Sequence, residues 1–215
     1  MTQQFGKTDD ELATMPLTFR DGLFAGQVVL VSGAGRGIGK AIAFQFARLG
    51  AKLVLCGRDA ERLEAVAAAL SRLGANVLVH AMSIRDPDAV ARLFDAVTGR
   101  FGTIDVLVNN AGGQFPQAAI DFAPKGWNAV IETNLTGTWY MMQQAARRWR
   151  DAGRGGRIVN IVAVISRGMP GVAHTAAARA GVISLSKTVA IEWAPLGIQI
   201  NCVAPGIIAT EGMNV

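Results

Sequence analysis

The feature that most constrains this chain is a repeated alternation of short apolar runs with longer helical patterns. The runs lie at residues 27–32, 51–56, 76–81, 106–109, 157–161 and 199–204. Between them, helical periodicity covers 38–49, 59–73, 86–100, 125–151 and 172–193. A run such as Val28-Val29-Leu30-Val31 is apolar throughout, as expected of a strand covered on both faces. Strand, helix, strand at this spacing predicts βαβ crossovers. The expected fold is therefore a single α/β domain: a doubly wound, Rossmann-type parallel sheet with helices on both faces. Residues 1–22 precede the pattern and read as an N-terminal arm, and residues 23–215 form the nucleotide-binding domain, without an internal boundary, linker or repeat.

Composition excludes several other classes. Of the 215 residues, 51% are hydrophobic and 17% charged, which suits one globular domain and not a disordered chain. Cys56 and Cys202 each lie in an apolar run and read as buried small hydrophobes. Neither a disulfide framework nor a metal site is expected, and a reducing, cytoplasmic setting fits. No apolar stretch reaches the roughly eighteen residues that suggest a membrane span. The first residues show no basic segment followed by an apolar core, so no secretory leader is expected. The net charge of +5 suits anionic small molecules such as nucleotide phosphates or coenzyme A, and equally a solvated basic surface. Nothing points to nucleic acid.

A glycine-rich turn follows the first run: Ser32-Gly33-Ala34-Gly35-Arg36-Gly37-Ile38-Gly39. Its spacing is G-x-x-x-G-x-G, from Gly33 to Gly37 to Gly39, and not G-x-G-x-x-G. Placed between strand and helix, such a turn lets backbone approach a pyrophosphate at a helix N-terminus. The second run ends Leu55-Cys56-Gly57-Arg58. A carboxylate there would hold the ribose 2′-hydroxyl of NAD, whereas arginine accommodates the 2′-phosphate of NADP. Arg58, with Arg36 inside the glycine turn, favours NADP(H).

Further motifs identify a family. Asn109-Asn110-Ala111-Gly112 follows the fourth run, Asn134 lies in Glu132-Thr133-Asn134-Leu135-Thr136-Gly137, and Asn201-Cys202-Val203-Ala204-Pro205-Gly206 closes the sixth. With the glycine turn, these resemble the short-chain dehydrogenase/reductase family from about residue 24 onward. The resemblance implies a hydride-transferring enzyme whose catalytic set is Asn, Ser, Tyr and Lys. It places the cofactor against Gly33, Gly35, Arg36, Gly37, Ile38 and Gly39, then Arg58, Ser83 and Ile84. It adds Asn110, Ala111, Gly112 and Arg179, and finally Pro205, Gly206 and Ile208. It also implies a homodimer or homotetramer built on the helices of 125–151 and 172–193.

The catalytic positions depart from the family. Its Tyr and Lys stand four apart on one helix face, and the matching residues here are Thr175 and Arg179. The serine position falls on Val162 or Ala163, so only Asn134 of the four remains. The sole tyrosine, Tyr140, lies on another helix and reads as core or interface. Lys187 lies eight residues past Arg179, about 12 Å along a helix, and reads as structural. His174 reads as a hydrogen-bonded structural histidine and Ser166 as a loop cap. The run Arg147, Arg148, Arg150, Arg154 and Arg157 reads as a solvated helix end, with a contact to coenzyme A phosphates as the alternative.

A narrower resemblance accompanies this pattern. Gly112-Gly113-Gln114-Phe115, Lys125-Gly126-Trp127, Glu132 to Gly137 and His174 to Val182 are similar to peroxisomal trans-2-enoyl-CoA reductases, near the 2,4-dienoyl-CoA reductases. Those enzymes reduce C=C bonds of acyl-CoA thioesters with NADPH. The enoyl-CoA reductases carry a tyrosine one turn after the arginine, where this chain has Ile183. The expected catalytic residues are Asn134, Thr175 and Arg179, with Arg179 holding the nicotinamide ribose in place of the lysine. The alternatives are a carbonyl reductase with a non-tyrosine acid, acting on a 3-ketoacyl or alcohol substrate, and a catalytically silent NADP-binding subunit. Family members continue past the point where this sequence stops, so the usual C-terminal substrate-covering segment is expected to be absent.

Overall fold

Six runs of β-branched and leucine side chains form six parallel strands in the structure, a computed structural model that describes residues 5–211. They are β1 (Val28–Ser32), β2 (Lys52–Gly57), β3 (Val77–Ala81), β4 (Val106–Asn109), β5 (Gly156–Ile161) and β6 (Ile198–Val203). Their order across the sheet is β3-β2-β1-β4-β5-β6. Leu30 of β1 sits opposite Val54 on one side and Leu107 on the other. The chain moves outward in opposite directions from β1 and β4, and this reversal opens a crevice at the carboxyl ends of the strands.

Burial follows position in the sheet. Every residue of central β1 and β4 is buried, whereas at the edge Gln199, Asn201 and Val203 of β6 are exposed. The two cysteines differ accordingly. Cys56, on interior β2, is fully buried, and burial pushes its thiol up to about 12. Cys202 is only half-buried, a correction to the expectation for both, because an edge strand lacks one neighbour.

The helices are α1 (Asp9–Thr14), α2 (Gly37–Arg48), α3 (Ala60–Arg72), α4 (Pro87–Phe101), α5 (Pro124–Ile131), α6 (Gly137–Asp151) and α7 (Ala173–Trp193). Asp59 caps α3 through the Arg62 N–H, and Asp86 caps α4, where Pro87 opens the helix. On α3, Leu63, Val66 and Leu70 fall on one face and pack with Phe44 of α2 and Leu53 of β2. On the opposite sheet face, Phe94, Met141, Met142 and Trp149 fill the second core, with the Trp149 indole donating to the Ile104 carbonyl at 2.7 Å.

Two features differ from the sequence pattern. The helix anticipated over 125–151 is interrupted by a π-helical turn, Glu132–Thr136. Hydroxyls of Thr133 and Thr138 bond the carbonyls of Ala129 and Asn134 at its two ends. The arm contains α1, whose Thr8–Glu11 capping box starts a helix that buries Leu12 in the core beside Phe44. Residues 1–4 of the arm and 212–215 lie outside the described residues. Among the described residues no helix is long and apolar enough to cross a membrane, and no group of His, Cys, Asp and Glu is arranged to hold a metal ion.

Candidate active site

The glycine loop connects β1 to α2 at the crevice, and its glycines are required by close approaches. Gly33 has φ +67°, and a β-carbon there would lie 2.9 Å from the Ala111 Cα. A β-carbon on Gly39 would overlap the Gly33 carbonyl. Asn110 braces the same loop, its amide donating to the Ser32 carbonyl at 3.0 Å and the Gly33 carbonyl at 3.2 Å. Ser32 Oγ in turn accepts from the N–H groups of Asn110 and Ala111. Asn110 therefore acts on the cofactor site through the loop it holds, because its side chain is spent inside the protein. A cradle that any β-carbon would fill, set at the N-terminus of a long helix, fits a dinucleotide pyrophosphate.

Cations gather at the β2 side of this cradle. Arg36 and Arg58 are both exposed there. Arg62, not singled out from the sequence, joins them: a β-carbon on Gly35 would lie 3.2 Å from Arg62 Cβ. Its place in the first turn of α3, three residues past the cap Asp59, was the available signal. The carboxylate nearest Arg58 in sequence, Asp59, is occupied in capping α3 and pairing with Arg62 Nε at 2.9 Å. Ser83 follows β3, its hydroxyl accepting from the Arg85 N–H, and buried Ile84 packs where Gly137 lacks a side chain.

Asn134 and Arg179 meet on the other side of the crevice. Asn134 is 1% exposed, and both ends of its amide are held by Gly113: Oδ1 accepts from the N–H and Nδ2 donates to the carbonyl, each at 2.9 Å. Arg179 is 8% exposed and directs Nη1 toward the Asn134 carbonyl at 3.5 Å. Its Nη2 fills the space where a β-carbon on Gly112 would be. No carboxylate pairs with it among the described residues, and burial lowers the guanidinium to about 10.

Thr175 stands one turn before Arg179 on the same face of α7 and is 4% exposed. Its Oγ1 lies 3.3 Å from His174 Nδ1, which also accepts from the Thr175 N–H at 2.7 Å. His174 is fully buried against the rings of Phe115 and Phe122, and its Nε2 has no hydrogen-bond partner among the described residues.

The other positions carry no chemistry into this site. Val162 is buried, with its N–H on the Val203 carbonyl, and Ala163 likewise offers no hydroxyl. Ser166 and Lys187 are exposed, and Ile183 is half-buried. Tyr140 lines a separate polar crevice with Ser83, Arg85 and Glu132, where Arg85 and Glu132 form an ion pair.

Beneath the site runs a buried polar ladder that sequence reasoning missed. Asn109 Nδ2 donates to Asn160 Oδ1 at 2.8 Å, Asn160 Nδ2 to Ser186 Oγ at 2.9 Å, and the Ser186 hydroxyl to the Val182 carbonyl at 2.7 Å. These bonds tie β4, β5 and α7 together and so fix the helix that carries Thr175 and Arg179. Pro205, Gly206 and Ile208 follow β6 and lead to Thr210, which lies beside Gly37.

Comparison with known proteins agrees with this geometry. The short chain dehydrogenase family profile matches residues 27–214. The chain is 39% identical over 188 residues to a probable 2,4-dienoyl-CoA reductase of Bacillus subtilis (strain 168), covering 86% of this chain and 74% of that protein. It is 37% identical over 196 residues to a probable 2,4-dienoyl-CoA reductase of Caenorhabditis elegans, covering 90% of this chain but only 63% of the relative. Similar proteins also include 3-oxoacyl-[acyl-carrier-protein] reductases. Among solved structures, a citronellol catabolism dehydrogenase of Pseudomonas aeruginosa PAO1 superposes with TM-score 0.83 at 41% identity, covering 88% of this chain and 77% of that one. With the glycine cradle, the Asn-Asn-Ala-Gly brace and the strand order in place, the chain belongs to the short-chain dehydrogenase family, whose cofactor is NAD(P)(H).

Proposed function

We propose that this chain is an NADPH-dependent reductase of an activated carbon–carbon double bond, its substrate an enoyl or dienoyl thioester of coenzyme A. The observation that carries the reading is the pair Thr175 and Arg179: a hydroxyl and a buried guanidinium, charged at neutral pH, stand where the family has a proton-relaying Tyr and Lys. Reducing a ketone generates an alkoxide, for which a positioned general acid contributes ~10²–10⁴ in rate. Reducing a conjugated thioester instead spreads negative charge onto the thioester oxygen as an enolate, which fixed donors and cations stabilise. The glycine loop, with Arg36 and Arg58, would hold a reduced nicotinamide cofactor, which would supply the hydride for the electron-poor carbon, the matching proton coming from water. Arginine keeps its proton at neutral pH, so Arg179 provides charge without taking part in proton transfer. Asn134 holds the Gly113 backbone in register at the same site. The names of the dienoyl-CoA reductases among the relatives support this substrate class, and Arg36, Arg58 and Arg62 support NADPH over NADH.

Single-turnover oxidation of NADPH by the chain, with matched enoyl-, dienoyl- and 3-ketoacyl-CoA substrates, tests the reading. Faster reduction of a C=C bond is expected. A faster rate on the ketone would favour the carbonyl reductase instead. Tight cofactor binding with no turnover on any of them would assign a silent subunit, the reading that the loss of the family's Ser, Tyr and Lys also favours.

A further inference from the structure

The helix end that the glycine loop prepares for a phosphate already faces a carboxylate of this chain. Glu211 Oε2 accepts from the Gly37 N–H at 3.0 Å, at the first position of α2, while Oε1 pairs with Lys40 Nζ at 2.8 Å. Lys40 also reaches Asp9 at 3.2 Å and the Lys7 carbonyl at 3.4 Å. One ammonium thus gathers residues from the arm and from beyond β6 onto the start of α2. The fit is close, because a β-carbon on Gly6 would lie 3.0 Å from Glu211 Cγ.

Partial burial of Glu211 raises its carboxyl, but Lys40 and the backbone N–H groups outweigh this and hold it below the ordinary carboxylate range. It is therefore an anion at neutral pH, the form a helix N-terminus favours. A pyrophosphate oxygen bound to the glycine loop would seek the same unpaired N–H groups. One N–H in this geometry cannot serve both acceptors fully. We propose that Glu211, latched by Lys40, is an internal competitor that fills the anion site of the glycine loop until a dinucleotide pyrophosphate displaces it. The inference rests on the dinucleotide-binding reading of the loop and on neither the substrate nor the reaction. Displacement would leave Lys40 with Asp9 as its remaining carboxylate partner among the described residues.

The test is Glu211→Gln, which keeps the length of the side chain and removes its charge. The chain and the variant are titrated calorimetrically with inorganic pyrophosphate and, separately, with NADPH, alongside Asp9→Asn. Asp9→Asn removes an equal charge from the same lysine but no bond to Gly37. Glu211→Gln is expected to tighten both ligands about fivefold, from the worth of one anion at a helix N-terminus, and Asp9→Asn to change them much less. Unchanged or weaker binding in Glu211→Gln overturns the proposal, as does failure of both forms to bind either probe. An equal gain in Asp9→Asn also overturns it, reducing the effect to net charge. Tighter pyrophosphate binding without any binding of NADPH supports the competitor and refutes the choice of cofactor.

Discussion

Arg179→Met should make the unliganded protein more stable while weakening its response to cofactor. The guanidinium is 8% exposed, and no carboxylate pairs with it among the described residues. Burial lowers it to about 10, which corresponds to about 3 kcal/mol against the folded state at neutral pH. A base whose folded value is depressed gives up its proton more readily in the folded chain than in the unfolded one. The cost is therefore full below about pH 10 and shrinks as pH rises above it. The 3.5 Å approach of Nη1 to the Asn134 carbonyl is too long to offset much of this. Methionine keeps most of the volume, so removing the uncompensated charge should add ~1–3 kcal/mol to unfolding free energy. In urea at neutral pH that is an upward midpoint shift of about 1 M. Added NADPH should raise the midpoint of the parent chain more than that of the variant. A midpoint lowered by the substitution would refute the reasoning, because the guanidinium's contacts would then outweigh its burial.

Four further outcomes follow from the site. Arg58→Asp should weaken NADPH binding and leave NADH unchanged or tighter, and equal affinity of the parent chain for both cofactors would sink the 2′-phosphate assignment. Thr175→Val should lower turnover of an enoyl thioester by ~10²–10³ while sparing NADPH affinity, with Thr175→Ser retaining most activity; undiminished turnover in Thr175→Val would remove the hydroxyl from the mechanism. Gly39→Ala, which drives a β-carbon into the Gly33 carbonyl, should cost at least ~1–3 kcal/mol in denaturant titrations and abolish dinucleotide binding; normal stability would show that the loop yields freely. A thiol reagent should modify half-buried Cys202 well before Cys56, whose thiol burial pushes up to about 12, and the reverse order by peptide mapping would contradict the sheet topology.

What the sequence discloses depends on how far each determinant reaches along the chain. The strands are legible because a central parallel strand is apolar on both faces, and Val28 to Val31 carry that requirement in consecutive residues. The edge strand β6 is legible as a strand, but its exposure is not, since Cys202 looks the same in sequence whether or not a neighbour covers it. The π-helical turn is hidden because helical periodicity continues from Pro124 to Asp151 on either side of it. The short helix α1 announces itself only through the Thr8–Glu11 capping pair, with too few residues to show a period. The glycine loop is readable because its geometry is local. The carboxylate that meets it, Glu211, is brought there by the return of the chain from β6, and no local pattern near Gly37 foretells it.

The same distinction separates the identity of the catalytic positions from their chemistry. Thr175 and Arg179 are found as the positions that match the family's Tyr and Lys, but that match does not reveal that Arg179 is sealed between Gly112 and the Asn134 carbonyl with no acidic partner among the described residues. Nor does it reveal that the Asn109–Asn160–Ser186 ladder anchors α7 from below, limiting how far that helix can move to relieve the buried charge. A rigidly held, uncompensated cation is costly in the empty protein and worth most when negative charge arrives beside it. On the proposed reading, that charge is the enolate of the thioester. A proton-relaying lysine would need a hydrogen-bonded path to solvent; a fixed guanidinium needs only a dry wall and a stable backbone, and Gly112, Asn134 and α7 supply both.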